Sequence, residues 1–459
     1  MATMNQLPSF PRKMPIGIQS FEKLRRENYV YIDKTEIMYR LVSTSNPYFL
    51  SRPRRFGKSL LLSTMEAYFL GKRDLFKGLA IERLETEWNT HAVLHLDLNA
   101  EKYDSPERLH DMLERQLRGW EKTYETKTGR GVVVLIDEYD KPLLNSFHDE
   151  ALQKAFRETL TAFYTVLKSA DQWLRFVFIT GVTKFAQMGI FSNLNQLKDI
   201  SLDPRYAALC GLTGDEIRAD FVPELKLLAK ENNLDDEACM ERLTRMYDGY
   251  HFNYRDMVGI YNPFSILNVL DSTMFENYWF ATGTPSFLTE ILKKTDFDFD
   301  LRELDGIEVS AASLSDDRAN INNPVPMIYQ SGYLTIKKYD ERFQIYTLGF
   351  PNDEVKYGFL NFVTPFYTPV AESETSFYIG KFIHELESGD VDAFLTRLRA
   401  FFAGISYELN NRTERHYQTI FYLVFKLMGQ FAETEVRSAK GRADAVVKTA
   451  DYIYVFEFK

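Results

Sequence analysis

Three short stretches of this 459-residue chain bring together residue types that do chemistry as a set. The first is RPRRFGKSLL, where Gly57-Lys58-Ser59 stands between the strand-like PYFLS and the helix-like SLLLSTMEAYF. At such a junction the free N–H groups of a helix start converge on anionic oxygens. A lysine there reaches the outer phosphates and a hydroxyl takes Mg2+. Arg54, Arg55, Phe56, Gly57, Lys58, Ser59 and Leu60 are therefore the expected phosphate cradle, with ATP as the ligand. The usual pattern has a glycine where this chain has Arg52, so the first turn of the loop must differ from the common form. Arg54 and Arg55 either support phosphates in their own subunit or reach a neighbour, which makes a homo-oligomer one of the expected partners.

The second stretch is VVVLIDEYD. A buried apolar run ending in Asp137-Glu138 suits a strand that delivers acid to the same end of a sheet as the phosphate loop. Asp137 is then the metal-organising carboxylate, acting through Ser59 or water, and Glu138 is placed to polarise an attacking water. A third strand, FVFITGVTKF, offers Thr180 or Thr183 as the hydroxyl that senses the γ-phosphate.

The third stretch closes the chain: GRADAVVKTADYIYVFEFK, with Asp444, then Glu457 and Lys459. Residues i and i+2 of a strand share a face, so Glu457 and Lys459 point the same way. A turn centred on Ala450 sets Asp444 opposite Phe456, and a shift of one residue sets it opposite Glu457. Asp444 and Glu457 suit one or two divalent metals, and a lysine beside them orients water or offsets developing charge. An amphipathic hairpin with exposed charges reads the same residues without chemistry.

The elements that must position these groups follow from hydrophobic patterning. Residues 15–215 alternate apolar runs with amphipathic stretches, the pattern of a parallel α/β sheet. Strands are expected at PYFLS, AVLHLDL, GVVVLIDEYD and LRFVFITGV, with helices over SLLLSTMEAYFLG and RLHDMLERQLRGWEKTY and around 150–170. Residues 212–300 read as mostly helical, 325–350 as short strands around turns with a winged-helix-like character, and 355–435 as helical again. The expected division is 1–211 as ATPase core, 212–350 as helical lid and winged-helix-like region, and 351–459 as a helical segment leading into the last hairpin. The fold class is α/β: a P-loop NTPase sheet with helices on both faces, then a mainly helical region, then a partial α/β unit.

Composition sets outer bounds. The chain is 45% hydrophobic and 15% aromatic, so its cores are ring-rich. A net charge of -10 argues against nucleic-acid binding over the whole surface and leaves room only for a local basic groove. Cys210 and Cys239 form no metal-ligand pattern, and the seven histidines show no paired spacing. The first residues lack the apolar core of a signal peptide and no run is long enough to span a bilayer, so the expectation is a cytoplasmic protein without membrane contact.

Taken together, YVYIDKTEIMYRLVS, the RPRRFGKS loop, LIDEYDKPLL, FVFITGVTKF, MYDGYHF, YNPFSILN and YWFATGTPSFL resemble the bacterial AAA-ATPase-like proteins. That family is similar to STAND and archaeal-type P-loop ATPases and often carries a C-terminal PD-(D/E)xK nuclease-like domain. The resemblance makes the arginine-rich loop a family trait and implies Mg-dependent ATP hydrolysis. It adds Glu414, at the head of an amphipathic helix, to Asp444, Glu457 and Lys459 as the nuclease-like set, and implies DNA or RNA as the partner of that region. Two departures stand out. The connection between LHLDLNAEKYDSPERLHDMLERQL and GVVVLIDEYD is shorter than the family's usual spacing. The chain also stops at Lys459, where such a domain normally continues, which implies a truncated nuclease-like domain whose activity the sequence leaves open. The alternative function is a nucleotide-dependent protein-binding switch with little turnover; a nuclease regulated by ATP ranks last.

Overall fold

The computed structural model describes residues 12–124, 130–146, 149–184, 190–191, 196–255, 257–280, 288–289, 304–314, 323–368, 370–403, 414–439 and 442–458, with backbone alone at 372, 403, 414–416, 435–439, 442–444 and 458. Five strands form the first sheet: β1 Pro47–Ser51, β2 Val93–Asp97, β3 Val132–Asp137, β4 Leu174–Gly181 and β5 Lys198–Asp199. Their order is β2-β3-β4-β1-β5, and every pairing is parallel. Runs such as VVVLID are apolar on both sides because both faces of a parallel sheet are covered. The covering helices are α1 Phe21–Arg26, α2 Thr35–Val42, α3 Lys58–Phe69, α4 Ile81–Leu84, α5 Pro106–Thr123, α6 Lys141–Asn145 and α7 Glu150–Ser169.

Register decides which residues meet. Leu50 and Ser51 lie beside Thr180 and Gly181, Ile136 beside Ile179, and Asp97 beside Asp137. Because β4 lies between β1 and β3, the phosphate loop after β1 and the acidic end of β3 flank the hydroxyl of Thr180. This is the carboxyl edge of an open sheet at its point of strand-order reversal, where such folds bind ligands.

Short strands β6 Leu212–Thr213 and β7 Ile260–Tyr261 pair antiparallel around three helices, α8 Gly214–Asp220, α9 Val222–Glu231 and α10 Asp236–Tyr247, and β7 leads into a fourth, α11 Pro263–Ser272. These helices share a core around Phe221, Leu228, Leu243, Tyr247 and Ile266. A capping box between Thr213 and Glu216 starts α8, and Asn262 caps α11. Beyond them, β8 Ile307–Ser310, β9 Thr335–Asp340 and β10 Ile345–Gly349 make an antiparallel sheet in the order β8-β10-β9. Residues 325–330, expected as strand, are instead the helix Val325–Gln330. Its run VPMIYQ opens with a proline in the first turn, a position that favours helix initiation.

Helices Asp353–Tyr367, Glu372–Glu387, Val391–Ala403 and Glu414–Met428 follow. The chain then forms β11 Glu433–Ala439, β12 Arg442–Lys448 and β13 Ile453–Phe458, an antiparallel sheet of three strands rather than the expected hairpin of two. β11 was hidden because ETEVRSA has weak strand propensity and gains its conformation by pairing with β12. Among the described residues no helix is long and apolar enough to cross a membrane.

Candidate functional site

The phosphate loop starts from an unusual anchor. Arg52 takes the place of the expected glycine and is 1% exposed. Its guanidinium donates to the carbonyls of Ser51 at 2.9 Å, Ser201 at 2.8 Å and Tyr206 at 3.2 Å, and lies 4.0 Å from the centre of the Phe252 ring. Burial lowers its pKa to about 10. Arg52 is thus a structural cation that ties the loop to the segment after β5. The backbone then turns through left-handed conformations at Arg55 (φ 66°) and Gly57 (φ 89°), and α3 begins without a side-chain cap. The first amides of α3 are left for an external acceptor. A Cβ on Gly57 would meet only open space, so its glycine serves the left-handed turn.

Lys58 is buried, its Nζ donating to the carbonyls of Arg52 at 3.0 Å and Pro53 at 3.1 Å, so it folds back along the loop it belongs to. Ser59 and Leu60 are half-buried on the first turn of α3. Arg54 is half-buried and Arg55 exposed; the Arg55 guanidinium stacks 4.0 Å from the Phe264 ring of α11 in the same chain.

Asp137 is 3% exposed, and its Oδ1 accepts from Thr180 Oγ1 at 2.6 Å and from the Glu138 amide at 3.0 Å. Glu138 follows in a left-handed conformation (φ 49°), half-buried; non-glycine residues in this region are strained and cluster at functional sites. Thr180 and Thr183 have separate attachments. Thr180 holds Asp137, whereas Thr183 donates both Oγ1 (2.6 Å) and N (2.7 Å) to Asp140 Oδ2.

Two carboxylates escaped the sequence reading. Asp140, the last residue of LIDEYD, is 1% exposed, and burial raises its pKa above the ordinary carboxyl range. It also accepts from the Val182 amide, so it splices β3's end to β4's end. Asp97, at the end of β2, is raised by burial and by the charges of Asp137 and Glu138. Its strand-end position was legible, but its adjacency to Asp137 needed the strand order.

A cleft opens at the loop, lined by Gly57, Leu60, Tyr31, Lys34, Cys210 and Leu267 among others. Lys34 is held across it by Glu216 of α8 at 2.5 Å. Aromatic residues from MYDGYHF, YNPFSILN and YWFATG close over the loop. Phe56 stands edge-on to Tyr250 and Phe252 at 4.8 and 5.3 Å, and Trp279 Nε1 donates to the Arg54 carbonyl at 3.1 Å.

The C-terminal set is built differently. β12 and β13 pair with Asp444 opposite Glu457, which resolves the two registers left open by the sequence. Glu457 is exposed on β13. Glu414 opens the helix Glu414–Met428, but its side chain, that of Asp444, and the whole of Lys459 lie outside the described residues. Among the described residues no cluster of three metal-ligating side chains forms.

A parallel α/β sheet with a phosphate loop after β1 and a buried strand-end aspartate across an intervening hydroxyl strand defines a P-loop ATPase-like protein. The sequence profile of the predicted AAA-ATPase family matches residues 15–129 and 122–191, and that of the PD-(D/E)XK nuclease superfamily matches residues 412–459. A relative from Azotobacter chroococcum mcd 1, an uncharacterized protein in the vnfD 5' region, is 33% identical over 477 aligned positions, spanning 98% of this chain and 89% of its own length. The chain belongs to the predicted AAA-ATPase family and carries a PD-(D/E)XK nuclease-superfamily region at its C-terminal end.

Proposed function

We propose that the chain binds ATP with Mg2+ and hydrolyses it, and that this cycle governs the nuclease-like region, whose partner is nucleic acid. One arrangement carries the reading: the uncapped start of α3 with Lys58 lies at the same sheet edge as Asp137, which Thr180 holds. The cleft beside Gly57 is lined mainly by apolar side chains, which suits a nucleobase. Lys58 would exchange its two loop carbonyls for phosphate oxygens, a charge-assisted contact in place of neutral ones. Ser59 and Asp137 are the residues that would hold Mg2+, which supplies charge neutralisation on the phosphates. Glu138 is placed to orient the attacking water and take its proton.

A second reading, a nucleotide-dependent switch with little turnover, draws on the aromatic lid. Phe264, Trp279 and Tyr250 touch the loop directly, so a change in loop conformation is felt by the helical region without any chemistry. Turnover separates the two: phosphate release at background alongside tight ATP binding favours the switch. The test of both is Lys58→Ala, which is expected to lower ATP affinity at least 100-fold in calorimetric titration; unchanged affinity would sink the nucleotide reading.

A further inference from the structure

Glu354 stands on the first turn of the helix Asp353–Tyr367 and is 1% exposed. Its two oxygens hold two different segments. Ser265 Oγ donates to Oε2 at 2.7 Å, and the Trp279 amide donates to Oε1 at 2.7 Å. Each segment then reaches the phosphate loop. Phe264, adjacent to Ser265, lies 4.0 Å from the Arg55 guanidinium, and Trp279 Nε1 donates to the Arg54 carbonyl at 3.1 Å. Among the described residues no lysine or arginine pairs with Glu354, and the groups that feel its charge are the buried phenols of Tyr247 and Tyr250 and the half-buried phenol of Tyr278. A buried carboxyl without a cation is a costly way to fill space, since apolar residues of similar volume do so more cheaply.

We propose that Glu354 is a positioning residue of the nucleotide site: by tying Ser265 and Trp279 it fixes the Arg54-Arg55 pair, so that nucleotide affinity depends on a carboxyl that touches no phosphate. The proposal rests on the nucleotide reading above. Its corollary is reciprocal, because coupling between two sites works in both directions. Nucleotide binding shifts the helix Asp353–Tyr367, which packs against the helix Glu414–Met428 that leads into β11.

The test is a titration of the full chain with Mg·ATP, comparing wild type with Lys58→Ala, Glu354→Ala, Glu354→Asp, Glu354→Gln, Trp279→Phe and the Glu354→Ala/Trp279→Phe pair. Glu354→Ala is expected to weaken binding about tenfold and Glu354→Gln, which keeps an acceptor at full length, to recover it to within about threefold. The double variant is expected to bind no more weakly than Glu354→Ala, because both changes cut one route. Glu354→Asp, too short to hold both segments, carries the same expectation of weakening if Glu354→Ala does not fold. Affinity within twofold of wild type in Glu354→Ala or Glu354→Asp, while Lys58→Ala has lost it, overturns the proposal alone. Losses that add in the double variant overturn it as well. No binding by wild type overturns the nucleotide reading itself, and this proposal with it.

Discussion

Asp137 and Glu457 are both carboxylates near the ends of strands, and their surroundings differ at every level. Asp137 ends a parallel strand, is 3% exposed, and has Thr180 and the Glu138 amide on one oxygen. Glu457 lies on β13 in the same outward row as Ile453 and Val455, which are 68% and 74% exposed. The alternate row, Tyr454 and Phe456, packs inward, with Phe456 against Phe394 and Phe425. A parallel sheet covered on both faces builds a carboxylate's environment from its own neighbours. An antiparallel sheet with one covered face leaves it to whatever meets the other face. The Asp137 environment is therefore set by buried neighbours in the sheet, whereas Glu457 stands on an exposed row of β13.

The largest effect that would break this contrast is on turnover. Glu138→Gln keeps the shape of the site and removes the proposed base, so on that proposal ATP hydrolysis is expected to fall about 100- to 10,000-fold with affinity retained, as read by steady-state phosphate release against calorimetry. A variant that hydrolyses at the wild-type rate would leave the well-packed site without its assigned chemistry. Next in size is Arg52→Gly. It restores the glycine of the common loop pattern, yet it removes three charge-assisted hydrogen bonds and the stack on Phe252. The expected loss is roughly 3 kcal/mol of stability, measured as a shift of the urea midpoint. A gain in stability would show that the arginine is tolerated in this loop rather than required.

Arg52 also marks where the sequence was legible and where it was not. Four of the five strands of the parallel sheet, α5, α7 and the strand–loop–helix around Gly57 follow from periodicity and turn chemistry, because local pattern and tertiary environment agree there; the two-residue β5 was not foreseen. The role of Arg52 was not legible: its partners are carbonyls 149 and 154 residues away along the chain, and carbonyls leave no mark on a sequence. Asp97 and Asp140 were missed for the same reason, since their meaning depends on which strands are neighbours. At the other end, Asp444 and Glu457 were recognised as a pair, but β11 was not foreseen, and the strand that borders β12 came from pairing rather than propensity.

An effect of at most the same size should appear with pH. Burial raises the Glu354 carboxyl to about 7 from an ordinary value of 4.5, despite hydrogen bonds from Ser265 and Trp279 that pull it down. The folded chain therefore holds a proton that the unfolded chain has released between those values. Stability from this group is fully present below pH 4.5 and is lost as pH rises through 7, by up to about 3 kcal/mol. Glu354→Gln carries no charge at either end, so its stability relative to wild type should rise between pH 5 and pH 8, tracked by urea midpoints at both. Parallel curves would mean that Glu354 keeps one protonation state throughout.

The smallest expected effect tests the outward face of β13 directly. Glu457 is exposed and its neighbours in the row are bare to solvent, so Glu457→Ala should change stability by no more than about 0.5 kcal/mol and leave ATP turnover at the wild-type rate. The same substitution removes one carboxylate of the Asp444–Glu457 register pair of β12 and β13, so any Mn2+-dependent cleavage of DNA by the chain should disappear with it. The two measurements are independent, which gives the variant its force. Loss of cleavage with stability intact assigns Glu457 to chemistry on an otherwise open surface. A stability loss well beyond 0.5 kcal/mol would instead show that Ile453, Val455 and Glu457 are covered in solution, as by a second copy of the chain. The contrast with Asp137 would then be one of partner rather than of fold.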